Sequence, residues 1–209
     1  MAGHSFETKS KAGSQALADL YVIELLANVG QADTHIHRSS DNEFGVQLER
    51  LRNSGLAENS GTDSVRLTTE GRKEIRVVMA GGSFDIIHPG HIETLEKAKA
   101  LGDVLVVSVA RDSTYLRNKK KKPLHNEDLR RKLVGSIKFV DAAILGSEED
   151  IFKTVEIVRP DIVALGYDQS HDEIGFRREL SKRGLNVEVV RLDSSIPDIK
   201  TSRIARDYY

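Results

Sequence analysis

Residues 75–91 read Ile75-Arg76-Val77-Val78-Met79-Ala80-Gly81-Gly82-Ser83-Phe84-Asp85-Ile86-Ile87-His88-Pro89-Gly90-His91, an apolar run that breaks at two glycines and passes two histidines into a helical pattern. A short apolar run bounded by glycine fits a buried strand. Paired glycines let the backbone approach a ligand closely, and a helix starting near His91 offers free N–H groups and a positive dipole end to an anion. A phosphate site is expected there. His88 and His91 stand three apart across Pro89-Gly90, so both imidazoles can face one point and donate to phosphoryl oxygens. Phosphoryl or nucleotidyl transfer draws most of its rate from charge stabilisation and alignment. An attacking phosphate is already ionised at neutral pH, which fits the lack of an Asp-His or Ser-His relay.

Downstream, apolar runs at 75–80, 104–110, 142–145, 162–165 and 187–191 alternate with amphipathic stretches at 92–101, 127–138, 149–158 and 173–183. This alternation predicts an α/β domain, a Rossmann-like parallel five-stranded sheet with helices on both faces. Ligands bind beyond the carboxyl ends of such strands, which draws attention to the residues that follow each one. The run Arg117-Asn118-Lys119-Lys120-Lys121-Lys122-Pro123 reads as a loop whose lysines can close over a triphosphate. Asn126 is placed to cap the next helix. Asp168, in Gly166-Tyr167-Asp168-Gln169, follows a strand and can take a ribose hydroxyl or a metal-bound water.

Upstream, Leu17, Leu20, Tyr21 and Leu25 recur at helical spacing and stop at Gly30. Two shorter helices, at 33–38 and 42–52, precede a hairpin at 56–67 with turn residues at 59–63, and the boundary falls at Gly71-Arg72-Lys73. Three helices and a two-stranded wing resemble a winged helix-turn-helix domain over 14–72, after a loose tail at 1–13. That resemblance implies DNA as a partner, with 42–52 in the major groove and Arg50, Arg52, Arg66 and Arg72 as a local patch. Charge disfavours it: residues 1–72 hold seven basic and ten acidic side chains, a net of -3. Phosphate contacts dominate DNA affinity, so an acidic reader is handicapped, and dimerisation or docking is the competing role.

The motif Gly82-Ser83-Phe84-Asp85-Ile86-Ile87-His88-Pro89-Gly90-His91 resembles that of the HxGH nucleotidyltransferase superfamily, cytidylyltransferase-like group, over 75–209. Val109-Ala110-Arg111-Asp112, Ala143-Ile144-Leu145-Gly146 and Leu165-Gly166-Tyr167-Asp168-Gln169 make the archaeal FAD synthases its nearest members. The resemblance implies transfer of a nucleoside monophosphate from ATP or CTP, with a divalent cation such as Mg2+, to a phosphorylated acceptor, FMN favoured, with release of pyrophosphate. It makes His88 and His91 the catalytic pair and Gly82, Ser83, Phe84, Pro89, Gly90, Lys120, Arg130, Gly166, Asp168, Thr201 and Ser202 the nucleotide-binding set. No protein side chain is assigned to a metal. Lys200 replaces the first hydroxyl of the family's Ser-Thr-Thr/Ser loop, and the Arg expected before it is missing, with Ser194-Ser195-Ile196 instead, so Arg203 or Arg191 would have to compensate. The alternatives are a CTP-dependent cytidylyltransferase acting on glycerol phosphate or a similar alcohol, and a ligand-sensing winged-helix regulator.

Composition bounds the rest. The 209 residues hold 31 Lys+Arg against 32 Asp+Glu, and no Cys. Disulfides, thiolate zinc sites and thiol nucleophiles are excluded, no run approaches the length of a membrane span, and a reducing cytoplasm fits best. Neutrality is an average, because residues 73–209 carry 24 basic and 22 acidic side chains. A homodimer is the expected assembly.

Overall fold

The computed structural model describes residues 11–31, 41–60, 64–167, 169, 172–199 and 204. Helices α1 (Lys11–Asn28) and α2 (Asp41–Asn53) lead into a hairpin of β1 (Ala57–Asn59) and β2 (Val65–Leu67), then the short helix α3 (Thr69–Lys73). Strands and helices then alternate as β3 (Val77–Gly82), α4 (Pro89–Lys99), β4 (Val104–Val109), α5 (Asp112–Lys119), α6 (Glu127–Gly135), β5 (Ala142–Leu145), α7 (Ile151–Val158), β6 (Ile162–Leu165), α8 (Glu173–Lys182) and β7 (Glu188–Arg191).

β3 to β7 form one parallel sheet in the order β5-β4-β3-β6-β7, with Val78 level with Leu105 on one side and Ile162 on the other. Every residue of β4 is buried, which explains its unbroken apolar run: both faces of the sheet are covered. The chain moves outward from β3 through β4 to β5, then returns to place β6 on the far side of β3. The strand order therefore reverses at β3, and a crevice opens there at the carboxyl ends of open sheets. Gly81 and Gly82 end β3 at that point.

On one face Val78, Ala80, Leu105, Val107 and Ala143 pack with Leu95 and Ala98 of α4 and Val134 of α6. On the other, Val77, Met79, Val104, Val106 and Ile144 pack with Val155 of α7, Leu180 of α8 and a row of residues from α1. Residues 16–22 are all buried, Asp19 included, whose carboxylate accepts from Gln15 Nε2 at 2.8 Å. A helix apolar all round belongs inside a fold. α1 is clasped between the sheet on one side and α2 with the hairpin on the other, so the first part of the chain shares its core with the α/β part.

Polar ties cross the same seam. Tyr21 Oη donates to the Val158 carbonyl at 2.6 Å, and the Leu145 amide donates to Gln31 Oε1 at 3.1 Å. Arg72 reaches the carbonyls of Ile75 and Arg159 and the carboxylate of Asp161, which also accepts from the Val77 amide at the start of β3. Gly71, also at the seam, has no room for a side chain: an added Cβ would lie 1.9 Å from the Leu56 carbonyl oxygen. Truncation before Lys73 is expected to uncover the row headed by Leu17, Leu20 and Leu25. At about 1.5–3 kcal/mol for each such side chain, Tm should fall by about 10 °C or more, with a rise in binding of an apolar dye. Equal melting temperatures for the two chains would show that α1 is not part of the core.

The hairpin forms as the sequence suggests, and the expected helix at 33–38 lies outside the described residues. Of the four arginines offered for a DNA-facing patch, three have intramolecular partners: Arg66 pairs with Glu58, Arg52 donates to Asn59, and Arg72 turns inward. All five strands lie within two residues of their expected limits, whereas α4 starts at Pro89 rather than 92. Helix α5 runs through Lys119, where a loop was expected from 117, with the loop beginning after it. Its sequence, Asp112-Ser113-Thr114-Tyr115-Leu116-Arg117-Asn118-Lys119, has no clear apolar period. Tertiary contacts hold it instead: Glu127 accepts from the Asp112 amide, and Tyr115 Oη donates to Asp85. Among the described residues no helix is long and apolar enough to cross a membrane.

Candidate active site

The turn after β3 is shaped by close contacts. Phe84 has φ 51°, in the left-handed region that is costly for a bulky residue, and its side chain is buried. Gly82 makes this possible, since a Cβ there would lie 2.8 Å from the Phe84 ring. Pro89 opens α4 with its φ already helical and no amide to satisfy. His88 stands at the N-cap without a side-chain capping bond. That leaves the helix start able to receive an anion. Gly90 is similarly confined, because a Cβ would lie 3.1 Å from His88 Nδ1 and 3.2 Å from the Ile199 carbonyl oxygen. The chain at Ile199 therefore runs beside the first turn of α4.

The expectation that both imidazoles face one point takes a definite form. The rings of His88 and His91 stack with centroids 3.8 Å apart and 26° between planes, and Phe84 lies 5.1 Å from His91 on a tilted plane. Burial, reinforced by His88, lowers the His91 pKa from the ordinary 6.5 to about 4. Its Nδ1 is buried with no hydrogen-bond partner among the described residues. At neutral pH the His91 imidazole is therefore uncharged. Because its folded pKa lies below the unfolded value, only the unfolded chain takes up this proton between about pH 6.5 and 4. Stability should consequently fall as pH drops through that window. Denaturant titrations from pH 7 to 4.5 are expected to show that slope shallower in His91→Gln; equal slopes would locate the acid lability elsewhere.

Two residues brace the turn. Asp85 is buried; its carboxylate accepts from Tyr115 Oη at 3.0 Å, Leu124 N at 2.8 Å and His125 N at 3.1 Å, and its carbonyl meets His125 Nδ1 at 3.1 Å. Arg130 is fully buried, and its guanidinium donates to the carbonyls of His125, Ser83 and Ala110 and to Asp112 Oδ1 at 2.6–2.9 Å. Arg130, expected from the sequence to bind phosphate, has these four intramolecular partners in the structure. A guanidinium enclosed by three main-chain oxygens and a carboxylate is a strut, and here it joins the turn after β3 to the end of β4 and the start of α6. Asn126 caps α6 as expected, accepting from Leu129 N at 2.9 Å.

The lysine run is divided. Lys119 closes α5, and exposed Lys120 sits at its C-cap with φ 58°, sending the loop away from the helix. On the far side of the crevice, Gly166 donates to Gln169 Oε1, while Gln169 Nε2 donates to the Gly81 carbonyl at 2.6 Å. Arg191 donates to Glu173 and to the carbonyls of Gly166 and Gln169. It holds this turn together. Ser194 and Ser195, which stand in place of the missing family arginine, both donate to Glu93 of α4, as does the Ser195 amide. Those hydrogen bonds, those of Ser195 foremost, and that of Lys97 hold the Glu93 carboxyl down at about 2. Tyr167 Oη adds a bond to the Pro197 carbonyl. Residues 194 and 195 are thus tied to the helix that begins at the histidines. Asp168, Lys200, Thr201, Ser202 and Arg203 lie outside the described residues.

Asp85, Glu93 and Gln169 were not given roles by the sequence. Only Asp85 left a signal, an acid inside an otherwise apolar Phe84-Asp85-Ile86-Ile87 step. Among the described residues no group of three or more His, Asp or Glu could hold a metal ion.

A family model described as cytidylyltransferase-like matches residues 79–207. A relative from Aciduliprofundum boonei named FAD synthase is 59% identical over 115 residues, 55% of this chain and 76% of that protein. One of the same name from Ferroglobus placidus is 55% identical over 118 residues, 56% of this chain and 76% of its own. A crystal structure from Thermoplasma volcanium, titled as a lipopolysaccharide core biosynthesis protein, is 50% identical and covers 57% of this chain and 98% of its own, with a TM-score of 0.56.

Proposed function

Because the chain belongs to the cytidylyltransferase-like family and is a nucleotidyltransferase, we propose that it joins ATP and FMN to give FAD and pyrophosphate. The observation that carries the chemistry is the stacked His88–His91 pair at the uncapped start of α4, where the strand order reverses. The identity of 50–59% to proteins named FAD synthase supports the choice of substrates.

In this reading the triphosphate lies across the first turn of α4. A terminal phosphate oxygen of FMN attacks the α-phosphorus of ATP, the new P–O bond forms as the bond to the bridging α–β oxygen breaks, and pyrophosphate leaves. The FMN phosphate is largely ionised at pH 7, so no side chain has to take a proton from it. His88 and His91 donate to the non-bridging oxygens of the α-phosphate, and the helix start adds main-chain donors and its dipole. Ser83, Phe84 and Gly82 shape the wall beside the phosphates, and Thr201 and Ser202 are assigned to the outer phosphates. A divalent cation, Mg2+ or similar, would neutralise part of the triphosphate charge. Residues 14–72 are read as a covering layer for the sheet, supported by the shared core and by the three arginines with internal partners.

Crossing ATP and CTP with FMN, glycerol phosphate and phosphopantetheine, read by pyrophosphate release and by FAD formation, tests this. Turnover is expected with ATP and FMN. Turnover with CTP and glycerol phosphate while FMN stays inert would overturn the flavin assignment and leave nucleotidyl transfer standing.

A further inference from the structure

Among the described residues seven large apolar side chains are exposed, and three of them, Leu116, Leu124 and Leu129, line a single groove of about 530 Å³ with Pro123. They are 46%, 62% and 49% exposed, far more than an apolar side chain with no partner to meet would ordinarily be when three gather in one place. The groove lies between the start of α5 and the start of α6. Asp112, at its edge, stands three residues beyond the end of β4, on the carboxyl side of the sheet where the histidines also stand.

We propose that this groove seats the isoalloxazine ring of the acceptor; the inference rests on the reading of FMN as that acceptor. Small-molecule sites are mostly apolar concavities of roughly 300–1,000 Å³ with a few polar groups that fix orientation. The flavin ring matches that description, flat and apolar at its dimethylbenzene end and polar at its pyrimidine edge. The leucines and Pro123 supply the apolar walls, Ser113 and Asn126 the polar groups, and Lys122 a cation for the ribityl phosphate. The groove is also fastened to the turn that carries the histidines. Leu124 N is held by Asp85, and Asp112 is held by Arg130, which also grips the Ser83 carbonyl. Ring and reacting phosphate would thus be placed by one rigid frame, the condition under which positioning contributes most to rate.

The test uses the full chain with FMN, whose ring fluorescence reports its binding. Leu116→Ser and Leu129→Ser are expected to raise KM for FMN by about tenfold each, with a matching loss of FMN affinity by fluorescence and an unchanged KM for ATP. Leu133→Ser, on the same helix but outside the groove, should leave both values as they were. The more conservative Leu116→Ala should show the same split in smaller degree. If the wild type makes FAD and the groove variants bind FMN within twofold of it, the groove proposal falls and the activity stands. A change in the variants' mass by light scattering, with FMN affinity unaltered, would make the leucines a surface for a second copy and would also overturn it. A wild-type chain inert toward FMN would remove both readings.

Discussion

Replacing His91 by Ala is expected to lower kcat for nucleotidyl transfer by on the order of a hundredfold, the scale for one lost donor to developing negative charge. Melting temperature should hardly change. The His91 Nδ1 is buried without a partner among the described residues, so removing the ring costs packing against Phe84 but no hydrogen bond that this atom makes. His88→Ala should behave alike, and the double variant should lose less than the product of the two. Rings 3.8 Å apart serve the same small group of oxygens, and residues that act as a unit are not additive. Single-turnover rates with saturating ATP and FMN separate this from weakened binding. An unchanged rate in both single variants would remove the pair from the mechanism.

Arg130→Ala is expected to do the opposite kind of damage. It strips the donors from three carbonyls and empties a fully buried position, a cost of about 3–5 kcal/mol from the unpaired acceptors and the cavity, while the released Asp112 is 41% exposed and can be met by water. For a chain of this size Tm should fall by roughly 6–20 °C. Arg130→Lys should recover little, because an ammonium on a flexible stem cannot bridge carbonyls on three separate segments. Below the variant's melting range, kcat should still be lower, since the Ser83 turn has lost its tie. Thermal melts and steady-state kinetics on both variants distinguish strut from ligand. A raised KM for ATP with Tm within about 2 °C of the wild type would restore the phosphate role.

The contrast between these two residues shows what the sequence could convey. His88 and His91 were legible because their spacing, the intervening Pro-Gly and the preceding glycines describe a local geometry. The five strands were legible because a sheet covered on both faces selects unbroken apolar runs. Arg130 was legible as a position but not in its contacts: its partners come from residues 83, 110, 112 and 125, and no local pattern says whether a guanidinium meets a phosphate or a carbonyl. Helix α5 went unread for a similar reason, since Glu127 and Asp85 hold it from outside. The clasp of Ser194 and Ser195 on Glu93 joins residues about a hundred positions apart. There the departure from the family pattern was visible, while its replacement was not.

The bond from Tyr21 to the Val158 carbonyl spans 137 positions. During synthesis at about 5–20 residues per second, α1 leaves the ribosome some 7 to 27 seconds before the segment it will clasp exists. α2 and the hairpin, made soon after it, are the first elements able to shield one side of its apolar row, and β3, β4 and β5 follow before α7 is complete.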